Sequence, residues 1–267
     1  MRAKPYVGIT GFKTVSEVKA VNAIFNKSDF NNNKFSHWPM FGFIVTDKRL
    51  ADFTKGGTQS PPAKELPWLL RRVPPHYLPM IHYYTENVGN LAAEIEQVFS
   101  ISSMYEYGDC SAVQLNNVDW PPITEIKKIK QRFSSMDIVL QLPKQVMEGK
   151  SISEIVNRAR DYDGLVRYAL IDPSGGLGID FDVEKSLELM TSLYQAMPNT
   201  QIGIAGGFSG ENVEERIQVI QDYYIEPFCI DAQGKLRSDA DKGRLDLEKV
   251  QRYITGAARV LREYEIR

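Results

Sequence analysis

The amino-acid sequence predicts a (β/α)₈ barrel, on three observations. Short apolar runs and stretches of helical periodicity alternate eight times along the chain. Its 267 residues are close to the usual length of one such barrel, so one domain spanning residues 1–267 is expected. Three Gly-marked turns then follow apolar runs in the last third: Ile171-Asp172-Pro173-Ser174-Gly175-Gly176-Leu177-Gly178, Ile204-Ala205-Gly206-Gly207-Phe208 and Ile230-Asp231-Ala232-Gln233-Gly234. Glycine at such turns lets the backbone approach a ligand closely and aim bare amides at it. Amides at the start of a helix are a natural seat for a phosphate. In this architecture the phosphate site forms after the last two strands, which directs attention to Gly206, Gly207 and Gly234, with Lys235 adding a charge.

The elements follow in order. Residues 6–10 form a first strand, and a helix covers 14–25. The stretch 28–38, with three consecutive asparagines, is a polar loop before a second strand at 40–46. Gly, Pro and Ser mark 55–62 as a loop, and 63–72 as a short helix. Strand three spans 78–84 with a helix at 88–99; strand four spans 111–115 with a helix at 123–133. The lysines of that helix, Lys127, Lys128 and Lys130, read as a solvated outer face. Strand five covers 137–142, and its helix at 151–162 begins with Ser151 and Glu154, the spacing of a capping box. Strand six spans 165–172 with a helix at 183–197, strand seven 201–205 with a helix at 210–223, and strand eight 227–231. A helix over 247–264 closes the barrel.

Composition narrows the function classes. A content of 43% hydrophobic and 25% charged residues is that of an ordinary globular protein with a sizeable core. A formal net charge of −2 gives no reason to expect nucleic acid or an anionic membrane as partner. No run approaches the roughly 18 apolar residues of a membrane helix, and the start lacks an apolar signal-peptide region, so a cytoplasmic protein is expected. Cys110 and Cys229 lie in separate strands and read as buried free thiols. His37, His76 and His82 form no helical pair, so no metal site is predicted, and no cofactor is implied.

The motifs, taken together, resemble the phosphoribosylanthranilate isomerase family, (β/α)₈ enzymes of tryptophan synthesis, over about Val7 to Ile254. The family's first-strand "KICG" is similar to Val7-Gly8-Ile9-Thr10-Gly11, with Glu17 following. "GFIF…K…RYV" is similar to Gly42-Phe43-Ile44-Val45-Thr46-Asp47-Lys48-Arg49-Leu50, and "VQLHG" to Val113-Gln114-Leu115-Asn116-Asn117. "LLDS…GGTG…FDW" is similar to Leu170-Ile171-Asp172 through Gly175-Gly176-Leu177-Gly178 to Phe181-Asp182. "LAGGL…ENV" is similar to Ile204-Ala205-Gly206-Gly207-Phe208 with Glu211-Asn212-Val213, and "VDVSSGVE" to Ile230-Asp231-Ala232-Gln233-Gly234, with Gly243 and Asp246 beyond.

The resemblance implies an Amadori rearrangement of a phosphoribosyl amine. An acid opens the ribose by protonating its ring oxygen, and a base removes the proton at the second carbon. It implies Asp172 as the acid, at the end of a barrel strand. It implies a phosphorylated small-molecule substrate held by Arg49, Asn116, Gly206, Gly207, Asp231 and Gly234, with Arg49 pairing an aryl carboxylate. Two positions depart from the pattern. Thr10 occupies the place of the family's cysteine base, and Asn116 that of a histidine. A hydroxyl cannot ionise usefully without a neighbouring base, and Asp47 and His82 lie at or near strand ends where they could face the barrel mouth. Three readings stay open: an isomerase of this kind, an enzyme on another phosphorylated ribose compound, and a phosphate-ligand binding protein without catalysis.

Overall fold

The computed structural model describes residues 2–32, 35–101, 104–105, 108–110, 112–173, 183–239 and 241–266. Eight parallel strands close into a barrel in sequence order: β1 Tyr6–Thr10, β2 Trp38–Thr46, β3 Leu78–Thr85, β4 Ala112–Asn117, β5 Asp137–Pro143, β6 Tyr168–Asp172, β7 Gln201–Ala205 and β8 Cys229–Ala232. The ring closes where Val7, Gly8 and Ile9 of β1 pair with Ile230, Asp231 and Ala232 of β8. Helices pack outside it: α1 Val15–Asn26, α2 Asp47–Ala51, α3 Leu66–Leu70, α4 Leu91–Ser100, α5 Ile123–Arg132, α6 Lys144–Met147, α7 Ile152–Arg160, α8 Val183–Ala196, α9 Val213–Tyr223 and α10 Leu247–Ile266. Among the described residues no helix is long and apolar enough to cross a membrane.

Local chemistry explains the boundaries. Thr14 and Ser151 each accept from the backbone three residues on, while Glu17 and Glu154 reach back, so α1 and α7 both begin with a capping box. The helix expected over 63–72 is instead a 3₁₀ turn, Ala63–Glu65, followed by α3. Pro67 sits in the first turn of α3, where its missing N–H is no loss. Strand β2 starts at Trp38, two residues earlier than expected, because Trp38 pairs with Tyr6 and donates its N–H to the Pro5 carbonyl at 2.8 Å. Strand β6 starts at Tyr168, later than expected, because Leu165 and Val166 both donate to the Tyr162 carbonyl and close the turn after α7. Pro227 has no N–H to give a ladder, and β8 begins at Cys229. The short helices α2 and α6 stand where no helix was expected. Of the three Gly-marked turns, the part of the first from Ser174 to Gly178 lies outside the described residues, as do Phe181 and Asp182.

The core has two parts. The larger fills the shell between strands and helices, where Phe12 stacks on Phe41 and Phe25 and Phe43 pack against them at a tilt. The smaller fills the lower lumen of the barrel with Tyr6, Met40, Met80, Ala112, Val139, Tyr168 and Cys229. Both cysteines are buried and unpaired, and burial pushes the Cys110 thiol up to about 12. On α5, Lys127 and Lys128 are exposed and Lys128 pairs with Glu125 at 2.6 Å.

Above the apolar layer, one loop is tied across the ring closure by a buried cation. Arg237, which follows β8, is 1% exposed. Its guanidinium donates to the Gly11 carbonyl at 3.1 Å and to the carbonyl of Thr10. These bonds hold the end of β1 against the loop that carries Gly234 and Lys235. Arg237→Ala leaves both carbonyls without their donor, and a charged hydrogen bond contributes roughly 1.5–3 kcal/mol. The variant is expected to lose about 3 kcal/mol of stability in urea unfolding, and a loss under 1 kcal/mol would contradict this role.

Candidate active site

Strand pleating sends every second residue of a strand into the lumen. On β3 these are Met80, His82 and Tyr84, on β4 Ala112, Gln114 and Asn116, and on β6 Tyr168, Leu170 and Asp172. In each the inward series runs from apolar to polar towards the C-terminal end. The result is a cavity of about 400 Å³ at that end of the barrel. Its wall includes Asp172, Asp231, His82, Gln141, Gln233 and Lys235.

The polar groups form two hydrogen-bonded chains, each ending on a carboxyl. In the first, Gln114 donates from Nε2 to Gln141 Oε1 at 2.8 Å, and Gln141 Nε2 donates to Asp172 Oδ2 at 2.7 Å. The carboxyl sets the direction: it needs a donor, so Gln141 must present its amide nitrogen there and its carbonyl to Gln114. In the second chain, Thr10 donates to Asp231, with Oγ1 at 3.1 Å from Oδ1 and 3.0 Å from Oδ2. His82 Nε2 lies 3.3 Å from the same hydroxyl. With Asp231 ionised, the single hydroxyl proton goes to it, so His82 is then the donor to Thr10 and carries its proton on Nε2. Gly42 lies between them on β2. A Cβ there would come within 2.7 Å of His82 Nε2 and closer still to the Thr10 hydroxyl, so only glycine lets the two meet.

Burial sets the protonation states. Desolvation lowers the His82 pKa to about 3, which keeps the imidazole neutral. Desolvation also raises Asp231, to about 7, and the nearby Asp172 charge adds to the rise. The Thr10 hydrogen bond and Arg237 oppose it. Asp231 therefore exchanges its proton near neutrality, beside a second carboxyl over the same cavity.

The glycine corner stands at the ends of β7 and β8. Gly206 and Gly207 take φ of +103° and +66°, a conformation that favours glycine. Their carbonyls are held from behind: Asn212 Nδ2 donates to Gly207 at 2.9 Å and Arg216 Nη1 to Gly206 at 2.8 Å. Gly234 opens a 3₁₀ turn, and Gly206, Gly207, Gly234 and Lys235 all line the cavity. Gln233 Nε2 donates to Gln59 Oε1 at 2.6 Å and joins this corner to the loop after α2.

The residues expected from sequence are thus divided. Asp172, Asp231, Asn116, Gly206, Gly207 and Gly234 line one cavity. Thr10 is fully buried beneath it and does not line it. Arg49 sits on α2 at the same end of the barrel but outside the cavity wall; a Cβ on Gly57 would be 3.2 Å from its Nη2. Asp47, on the same helix, also stays off the wall. Gln114 and Gln141 were not anticipated. The signal for both was a polar residue at the inward parity of an otherwise apolar strand.

No protein-family model and no curated protein sequence matches the chain. Solved structures do. Phosphoribosylanthranilate isomerase from Thermus thermophilus superposes with a TM-score of 0.62 at 14% identity, over 96% of this chain and 99% of that one. The enzyme from Thermotoga maritima gives 0.62 at 18% identity, over 95% and 98%. A phosphoribosylanthranilate isomerase in complex with reduced 1-(o-carboxyphenylamino)-1-deoxyribulose 5-phosphate gives 0.61 at 17%, over 95% and 98%. Likeness at these identities establishes the fold: the whole chain shares their (β/α)₈ barrel.

The raised pKa of Asp231 has a consequence for stability. Its folded pKa lies above the value of an unfolded aspartate, so the folded state binds the extra proton between about pH 4 and 7. The site costs nothing below that window and destabilises the protein as pH rises through about 7. Asp231→Asn removes the ionisable group and still accepts from Thr10. Its melting temperature is expected to exceed that of the native protein at pH 8 by several degrees, with the gap narrower at pH 5 and closed below about pH 4. A variant less stable at pH 8 than at pH 5, relative to native, would show that Asp231 is not held up.

Proposed function

We propose that this protein is an acid–base isomerase of a small phosphorylated sugar derivative, carrying out an Amadori-type rearrangement of a phosphoribosyl amine. The observation that carries the reading is the pair Asp172 and Asp231 over one cavity, beside the glycine corner of β7 and β8. Solved neighbours on this fold are phosphoribosylanthranilate isomerases, one of them bound to a deoxyribulose 5-phosphate. The sequence motifs resemble the same family.

In this reading the phosphate is seated at Gly206, Gly207 and Gly234, with Lys235 beside it, where backbone amides and one cation meet a dianion without a bulky side chain between. Anchoring there places the sugar across the mouths of β6 and β8. Asp172 gives its proton to the ring oxygen, and the C1–O bond opens. Asp231 then takes the proton from the second carbon, and the electron pair left behind forms the enolamine that becomes the ketone. Both steps need one carboxyl protonated and its neighbour ionised; the pair holds one proton up to about pH 7, on Asp231 in the free protein, and the reaction needs that proton moved to Asp172 once the substrate is bound. Gln141 holds Asp172 by one oxygen and fixes the carboxyl at the cavity wall. Thr10, in the position of the family's base, acts here on Asp231: its hydroxyl orients the carboxyl and stabilises the ionised form.

A second reading is an enzyme on another ribose phosphate. Arg49 favours it, since it stands outside the cavity where the resemblance would have it grip an aryl carboxylate.

Steady-state assay with phosphoribosylanthranilate tests the assignment. Asp172→Asn and Asp231→Asn are each expected to lower kcat/KM by about 10²–10⁴, the usual contribution of a general acid or base. Thr10→Val is expected to cost about tenfold or less and to move the acidic limb of the pH profile upward, because Asp231 loses a bond to its ionised form. Thr10→Val as damaging as Asp231→Asn would give the base role back to the strand β1 position. A native protein that binds ribose 5-phosphate without turning over phosphoribosylanthranilate would favour the second reading.

A further inference from the structure

The glycine corner and the two carboxyls occupy one side of the cavity. The side across the barrel, at the ends of β2, β3 and β4, is chemically different. Thr46, His82, Tyr84, Gln114 and Asn116 line it. Threonine, glutamine and asparagine carry no charge, and burial holds His82 neutral. Among the described residues of the cavity wall, Lys235 is the one Lys or Arg, and it stands beside Gly234.

Among the described residues, a ligand whose phosphate is seated at the glycine corner therefore meets no cation at its other end. A second anionic group there would be desolvated without a counter-ion, which is strongly unfavourable. An uncharged group meets hydroxyl and amide partners from three strands. One of these is already waiting. The direction of the Gln114–Gln141–Asp172 chain, fixed by the carboxyl, leaves Gln114 Oε1 as its free end. Gln114 is 3% exposed, lines the cavity, and its Oε1 has no partner. A buried acceptor without a donor is costly until one arrives, and a site built this way selects for a ligand that brings it.

The geometry points to a substrate whose end remote from the phosphate is uncharged and carries a hydrogen-bond donor, an amide N–H or a hydroxyl, in place of a carboxylate. The inference rests on the sugar-phosphate reading above. Gln114 and Asn116 become the residues that set specificity, and Arg49 has no part in it.

Calorimetric titration of the native protein with three probes tests this. Ribose 5-phosphate reports on the glycine corner alone. Reduced 1-(o-carboxyphenylamino)-1-deoxyribulose 5-phosphate and its o-carboxamide counterpart differ in the charge of the remote group. The carboxamide is expected to bind at least tenfold more tightly than the carboxylate. Asn116→Lys, which places a cation on that wall, is expected to narrow or reverse the ratio. A carboxylate probe that binds as tightly as the carboxamide, or tighter, overturns the inference. So does an Arg49→Met variant that weakens the carboxylate probe tenfold and leaves the carboxamide unchanged. Ribose 5-phosphate binding while neither aryl probe binds overturns this inference and leaves the sugar-phosphate reading standing. Failure of all three probes overturns both.

Discussion

The pleat of a strand inside a closed barrel decides which side chains share the lumen, and the rest of this structure follows from that constraint. Eight short strands deliver alternate residues inward at stacked levels. The lower level is apolar and packs: Tyr6, Met40, Met80, Tyr168 and Cys229 fill it. The upper level is polar, and it sits partly buried on an apolar floor. Polar groups in that position must bond to one another or stand unsatisfied. They bond in two chains, Gln114–Gln141–Asp172 and His82–Thr10–Asp231.

Each chain delivers its polarity to a carboxyl, and the two carboxyls end with different surroundings. An amide holds Asp172 by one oxygen. Asp231 is gripped at both oxygens by one hydroxyl, desolvated, and close enough to Asp172 to feel its charge. Burial is what brings Asp231 into the neutral range, and the neighbouring Asp172 charge adds to the rise. The arrangement is unfavourable for folding and useful for proton transfer. Gly42 is what makes the second chain possible, since any side chain there would part Thr10 from His82.

Thr10 shows how a substitution at one position is absorbed by its neighbours. Taken alone, a hydroxyl in the position of a thiol base means lost chemistry. In the folded barrel, β1 and β8 are neighbours, and the hydroxyl falls on Asp231. In the proposed reading the base stands one strand away, on Asp231, which lines the cavity. The cavity also keeps its cation at one end, which separates the glycine corner from a neutral side of amides and hydroxyls.

The order of elements, the closed barrel and the glycine corner were legible in the sequence, because they depend on local signals. Apolar runs, capping residues such as Ser151 and Glu154, and glycines that need positive φ act within a few residues of chain. Strand ends were shifted where a long-range partner decided them, as at Trp38 pairing with Tyr6. The site was legible in part. Asp172, Asp231 and Asn116 stand where the motifs put them, on one cavity. Arg49 and Thr10 do not line it: a short helix carries the first away, and closure of β1 against β8 turns the second onto a carboxyl. The two hydrogen-bonded chains, the raised pKa of Asp231 and the neutral wall join residues from strands far apart in sequence. Burial and mutual distance produce them, and these exist only once the barrel has closed.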